Sequence, residues 1–189
     1  MILTKPKSIS AGPSDGTGEG VAHSKRWYVA LVRMHHEKKV AERLDKIGIE
    51  NFVPVQQEIH QWSDRRKKVQ KVIIPMCIFV RVTYPERLDV LHLPSVNRFM
   101  VLRGESTPAT IPESQMERFK FMLDYSEQTV EMCYEHLQPG ERVRVIKGSL
   151  TGLEGELITI GDKSKVAVRI DILGVALVEM PIGFVEKLA

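Results

Sequence analysis

The stretch from residue 140 to 155 constrains the fold more than any other part of the chain. It reads Gly140-Glu-Arg-Val-Arg-Val-Ile-Lys-Gly148, and Gly152 and Gly155 follow. Val143 and Val145 alternate with Arg142 and Arg144, the period of two that gives a strand one buried and one solvated face. The glycines allow sharp turns and close backbone approach, which a small antiparallel barrel needs and a Cβ would obstruct. β-rich runs such as Val166-Ala-Val-Arg-Ile170 lead on to Phe184-Val-Glu-Lys187. Residues 139–189 are therefore expected to close into a five-stranded barrel. A helical alternative is disfavoured, because each interior glycine costs a helix about 0.8–1 kcal/mol relative to alanine.

Upstream the period changes several times. Residues 1–25 are rich in Gly, Pro and Ser with no apolar repeat, and are expected to be a disordered tail. Trp27-Tyr-Val-Ala-Leu-Val32 is apolar on both faces, the mark of an interior strand covered on each side. Val40, Leu44 and Ile47 then predict a helix that Gly48 ends. Residues 49–59 and 67–82 read as a long hairpin with its tip at Trp62-Ser-Asp-Arg-Arg-Lys-Lys68. A short helix over Glu86–Leu93, a strand over Val96–Leu102 and a helix with Met116, Phe119 and Leu123 as its apolar stripe complete the unit. Thr110-Ile-Pro-Glu113 offers that last helix a capping box. The fold class is α+β: an α/β sandwich on a four-stranded antiparallel sheet over residues 26–125, a linker over 126–138, then the barrel.

Charge narrows the function. Residues 26–125 carry seventeen Lys/Arg against twelve Asp/Glu, whereas residues 139–189 carry seven of each. A nucleic-acid contact therefore belongs to the first unit. Lys39, Arg43 and Lys46 share one helix face, and Arg33 closes the preceding strand. Arg65, Arg66, Lys67 and Lys68 crowd the hairpin tip and suggest an anionic neighbour; a solvated helix face and a solubilising tip are the alternatives. Cys77 and Cys133 are the only cysteines and fit no zinc or disulfide spacing. The six histidines form no metal or nucleophile pattern, and no P-loop, GxSxG or HExxH occurs, so neither an enzyme nor a cofactor is expected. No apolar run reaches about 18 residues and no signal segment opens the chain, so a cytoplasmic protein without membrane contact is expected.

The residues quoted carry a resemblance. Gly-x-x-Val-x-Val followed by the spaced glycines resembles the KOW motif, which forms an SH3-like barrel. Together with the Trp-Tyr opening, the basic hairpin and Pro75-x-x-Ile-Phe-Val80, the chain from 26 to 189 resembles the NusG family of transcription-elongation factors. Arg26-Trp-Tyr-Val, Glu50-Asn-Phe-Val-Pro-Val, Gln61-Trp-Ser-Asp-Arg and Ile74-Pro-Met look most like the UpxY-type antiterminators of Bacteroides capsular-polysaccharide operons. The resemblance implies a monomeric factor whose N-terminal domain binds RNA polymerase through Leu31, Ile74, Cys77 and Phe79, with ordinary core packing as the alternative for these four. Cys77 departs from the family's usual Gly-Tyr after the proline. The resemblance also implies contact of Arg33, Arg43 and Lys46 with non-template DNA or nascent RNA at the bubble. In the barrel it implies a partner loop with an apolar tip, Ile172 and Leu173, suited to a small-subunit ribosomal protein, with Val175 where a basic residue is common. A general elongation factor that also serves Rho and a KOW-type RNA-binding ribosomal protein are the competing readings.

Overall fold

The computed structural model describes residues 24–61, 66–135 and 137–188; of residues 58–61 and 66–68 the backbone alone is described. The tail to residue 23 and hairpin-tip residues 62–65 lie outside that set. The chain runs β1 (Arg26–Val32), α1 (Glu37–Lys46), β2 (Glu50–Phe52), β3 (Val55–Gln61), β4 (Arg66–Val72), β5 (Cys77–Val82), α2 (Glu86–Leu91), β6 (Val96–Phe99), β7 (Thr110–Ile111) and α3 (Glu113–Tyr125). Then follow β8 (Glu131–Cys133), β9 (Glu141–Val145), β10 (Glu154–Ile160), β11 (Lys163–Ile170), β12 (Gly174–Glu179) and β13 (Val185–Lys187).

The first sheet has the order β2-β5-β1-β6, with β7 also paired to β1. It is five-stranded where four strands were expected, because residues 110–111 pair with Tyr28 and Trp27 instead of opening a helix. That pairing removes the capping box. Pro112 occupies the N-cap of α3 with no side-chain cap, and Glu113 Oε1 instead accepts the Trp27 Nε1–H at 3.0 Å. The predicted long hairpin is present as two successive pairings, β3 with β4 as a separate ribbon and β2 with β5 inside the sheet. Ile47 departs from the predicted stripe: α1 ends one residue earlier, and Ile47 is exposed while Val40 and Leu44 are fully buried.

The second sheet has six strands in the order β13-β9-β10-β11-β12-β8, one more than expected. The additional strand is β8, drawn from the segment read as linker; Glu131, Met132 and Cys133 pair with Leu177, Ala176 and Val175. Close backbone approach explains two of the glycines. A Cβ on Gly155 would lie 2.6 Å from the Ala167 carbonyl oxygen, and one on Gly174 would lie 2.4 Å from that of Cys133. Val143, Val145, Val166, Val168 and Ile170 turn inward to form this sheet's core.

Candidate functional site

Alternation along β1 and β5 gives the first sheet two apolar faces. Tyr28, Ala30, Val32, Ile78, Val80 and Val82 point to one side, where α1 and α2 cover them with Val40, Leu44 and Val90. Trp27, Val29, Cys77 and Phe79 point to the other, together with half-buried Leu31. Helix α3 covers only part of this second face, through Met116, Phe119, Met122 and Leu123. Beyond α3 the apolar cluster continues without a break through Val130, Met132, Ile172 and Leu173 into the core of the second sheet.

The four residues of the expected polymerase face are therefore not equivalent. Leu31 pairs across the sheet with Cys77 and is only half-buried. Ile74 and Cys77 are 2% and 5% exposed. Phe79 is wholly enclosed, its ring 6.0 Å from that of Phe52 and 5.8 Å from that of Phe119, so it forms the floor of the face. Burial, and secondarily the negative charge of Glu37, push the Cys77 thiol up to about 11, which keeps it protonated and apolar in character. The Tyr134 hydroxyl is also raised, by partial burial first and by Cys77 second.

Polar contacts hold the segment leading into β8, and the second sheet, against the first unit. Buried Gln56 of β3 uses both ends of its amide: Nε2 donates to the Gln128 carbonyl at 2.8 Å, and Oε1 accepts the Val130 N–H at 2.8 Å. Gln115 of α3 does the same with Asp171, donating to its carboxylate at 2.7 Å and accepting its N–H at 3.2 Å. Arg118 reaches Glu154 at 3.4 Å. Asp171 immediately precedes Ile172 and Leu173, so the apolar tip of the expected partner loop joins the apolar cluster that both units share. Val175 is buried with Ala167 and Leu177 and presents no side chain to a partner at that position.

The basic residues divide in the same way. Arg33, Lys39 and Lys46 are exposed. Arg43 is half-buried and donates to the Pro94 carbonyl at 2.9 Å, so part of its role is to tie α1 to the loop after α2. Arg65 lies outside the described residues, and Arg66, Lys67 and Lys68 are described only as the backbone that begins β4. Sequence reasoning missed Gln56, Gln115 and Glu37. A glutamine on a strand or helix carries no spacing signal, and Glu37 shows only as an acid in a first helical turn.

Among the described residues no group of three His, Cys, Asp or Glu side chains is arranged to hold a metal, and no helix is long and apolar enough to cross a membrane. Comparison with curated proteins gives no match. Among solved structures, the chain is similar to one titled "Domain interaction in Thermotoga maritima NusG", at 21% identity and a TM-score of 0.48, covering 87% of this chain and 98% of that one. It is also similar to the MjSpt4:Spt5 complex in conformation A, at 13% identity and a TM-score of 0.29, covering 86% and 98%. A family profile described as "Transcription termination factor nusG" matches residues 25–120, more than half of the chain and nearly all of the first unit. The chain belongs to the NusG family of transcription factors.

Proposed function

We propose that this chain is a specialised antitermination and elongation factor of the UpxY type, recruited to particular operons such as those for capsular polysaccharide. Its N-terminal unit binds RNA polymerase through the face around Leu31, Ile74 and Cys77, with Phe79 as the floor. Binding across the polymerase cleft favours the closed, elongating state over the paused one, so the factor acts by shifting a conformational equilibrium and catalyses no reaction. Arg33, Lys46 and the hairpin tip supply contacts to non-template DNA or nascent RNA near the bubble. The C-terminal sheet is a KOW unit whose Ile172 and Leu173 tip serves a small-subunit ribosomal protein once that tip is free.

One observation carries the reading. The second face of the first sheet is too wide for α3, and at its Leu31 end the apolar cluster runs on into residues from outside the N-terminal unit. A domain that leaves such a face for others to cover has a docking site. Leu31→Asp tests it, since a charge at this half-buried position opposes apolar docking while the fully buried core stays intact. Folded Leu31→Asp protein should fail to recover polymerase in a pull-down and should lose readthrough on a terminator template; wild-type recovery would reject the face.

A further inference from the structure

The rim of this face holds three non-glycine residues in the left-handed backbone region: His35 at φ 61°, Met76 at φ 61° and Ser95 at φ 79°. They belong to three separate loops that meet where β1 ends. The Val32 N–H donates to the Met76 carbonyl, and the Arg33 N–H to that of Ser95, each at 2.9 Å. Left-handed backbone carries a steric penalty for a residue with a Cβ that glycine does not have. Such conformations persist where the surroundings hold them.

For Met76 the holding group is unusual. Glu37 is 4% exposed, and its Oε1 accepts the Met76 N–H at 2.7 Å. A carboxylate is costly to bury, so this contact fixes the loop against a considerable desolvation cost. The side chain displayed as a result is apolar and open: Met76 is 40% exposed, and Met34 on the adjoining loop is 57% exposed. Lys38 and Lys39 are exposed nearby, while Glu37, the only acid between residues 33 and 41, is turned inward. The rim is thus two flexible thioethers framed by cations, and it stays accessible while the second sheet lies against the rest of the face.

We infer that Met76 and Met34 form a preformed anchor for an apolar, carboxylate-flanked surface of RNA polymerase, with Glu37 as the positioning residue. The inference rests on the polymerase-binding reading above and adds the part of the interface that needs no movement of the second sheet. Unbranched methionine side chains suit a surface that must conform to its partner. The cations complement acidic flanks and speed encounter.

The experiment measures affinity for core RNA polymerase and thermal stability side by side for Met76→Gly, Met34→Ser, Glu37→Ala, Glu37→Gln and Leu31→Asp in the full chain. Met76→Gly should hold or raise stability, since glycine relieves the left-handed strain, yet weaken binding about tenfold, the loss typical of an interface anchor. Met34→Ser, at a position too exposed to matter for folding, should weaken binding with stability unchanged. Glu37→Ala should weaken binding, and Glu37→Gln, which keeps the acceptor oxygen, should restore most of it. Wild-type affinity for Met34→Ser and Met76→Gly, alongside lost binding in Leu31→Asp, would overturn the anchor and leave the wider face standing. Wild-type affinity in all three would remove both.

Discussion

Replacing Gln56 by leucine removes the clasp between β3 and the segment leading into β8 while nearly preserving side-chain volume. The wild-type amide makes two neutral hydrogen bonds of 2.8 Å, to the Gln128 carbonyl and from the Val130 N–H. Each is worth about 0.5–1.5 kcal/mol net, so the pair contributes about 2 kcal/mol. The larger part falls on Val130, which is 2% exposed and whose N–H loses its partner in a place water does not reach. A loss of 2 kcal/mol shifts the ratio of attached to detached segment by about 30-fold.

Native-state hydrogen exchange reads this directly. The Val130 amide should lose protection by about that factor, and amides in β8 should follow because, among the described residues, Glu131–Cys133 pair only with β12. On the proposed reading, polymerase binding should strengthen even as stability falls, since release of this segment uncovers the Leu31 end of the face. Opposite signs for the two measurements are the signature. An unchanged Val130 exchange rate, or weaker polymerase binding in folded protein, would refute the reasoning.

Three further outcomes are expected. Gly155→Ala should destabilise the second sheet by about 1–3 kcal/mol, because the new Cβ lies 2.6 Å from the Ala167 carbonyl and neither backbone can yield; a denaturant midpoint equal to wild type would contradict this. Glu156 is held below the ordinary carboxylate value of 4.5, first by its hydrogen bonds from Arg169 and also by the Gly140 N–H. A depressed folded value means that its contribution is fully present above 4.5 and lost as pH falls below it, so Glu156→Gln should flatten the acid side of the stability profile. In nucleic-acid binding assays, Lys46→Ala and Arg33→Ala should each lower the salt slope by about 1, with no change in thermal stability.

Where one-dimensional periodicity decides the structure, the sequence was a sufficient guide. The two-faced reading of Trp27–Val32, the α1 stripe of Val40 and Leu44 without its third member Ile47, and the stripe of Met116, Phe119 and Leu123 rest on side-chain period, which burial repeats. Gly155 was recognisable as a close-approach position for the same local reason. Failures came where a distant partner outbid a local preference. Thr110 and Glu113 suit a cap, but β1 offers Thr110 a strand partner and Trp27 offers Glu113 an indole N–H. Residues 131–133 look like acidic linker until β12 presents an open edge to pair with. The family resemblance assigns Phe79 to a binding face, but only the packing of Phe52 and Phe119 around it reveals a floor.

The continuity of the apolar cluster across both sheets sets a quantitative condition on the proposed activity. Leu31 at the face and Ile172 and Leu173 at the loop tip are packed into one cluster, so neither surface is fully available to a partner while that cluster is intact. An outside partner then binds with its intrinsic dissociation constant divided by the fraction of molecules in which the cluster has opened. Gln56, Gln115 and Arg118 set that fraction, because they make the polar contacts that must break. The same opening frees both surfaces, so polymerase at one and a ribosomal partner at the other should bind with positive coupling, each lowering the cost the other meets. Affinity of the Ile172–Leu173 surface in the full chain for its partner should therefore rise when polymerase is present, by at least the factor that Gln56→Leu produces without it. Independent binding of the two partners would mean that the cluster opens too readily to couple them.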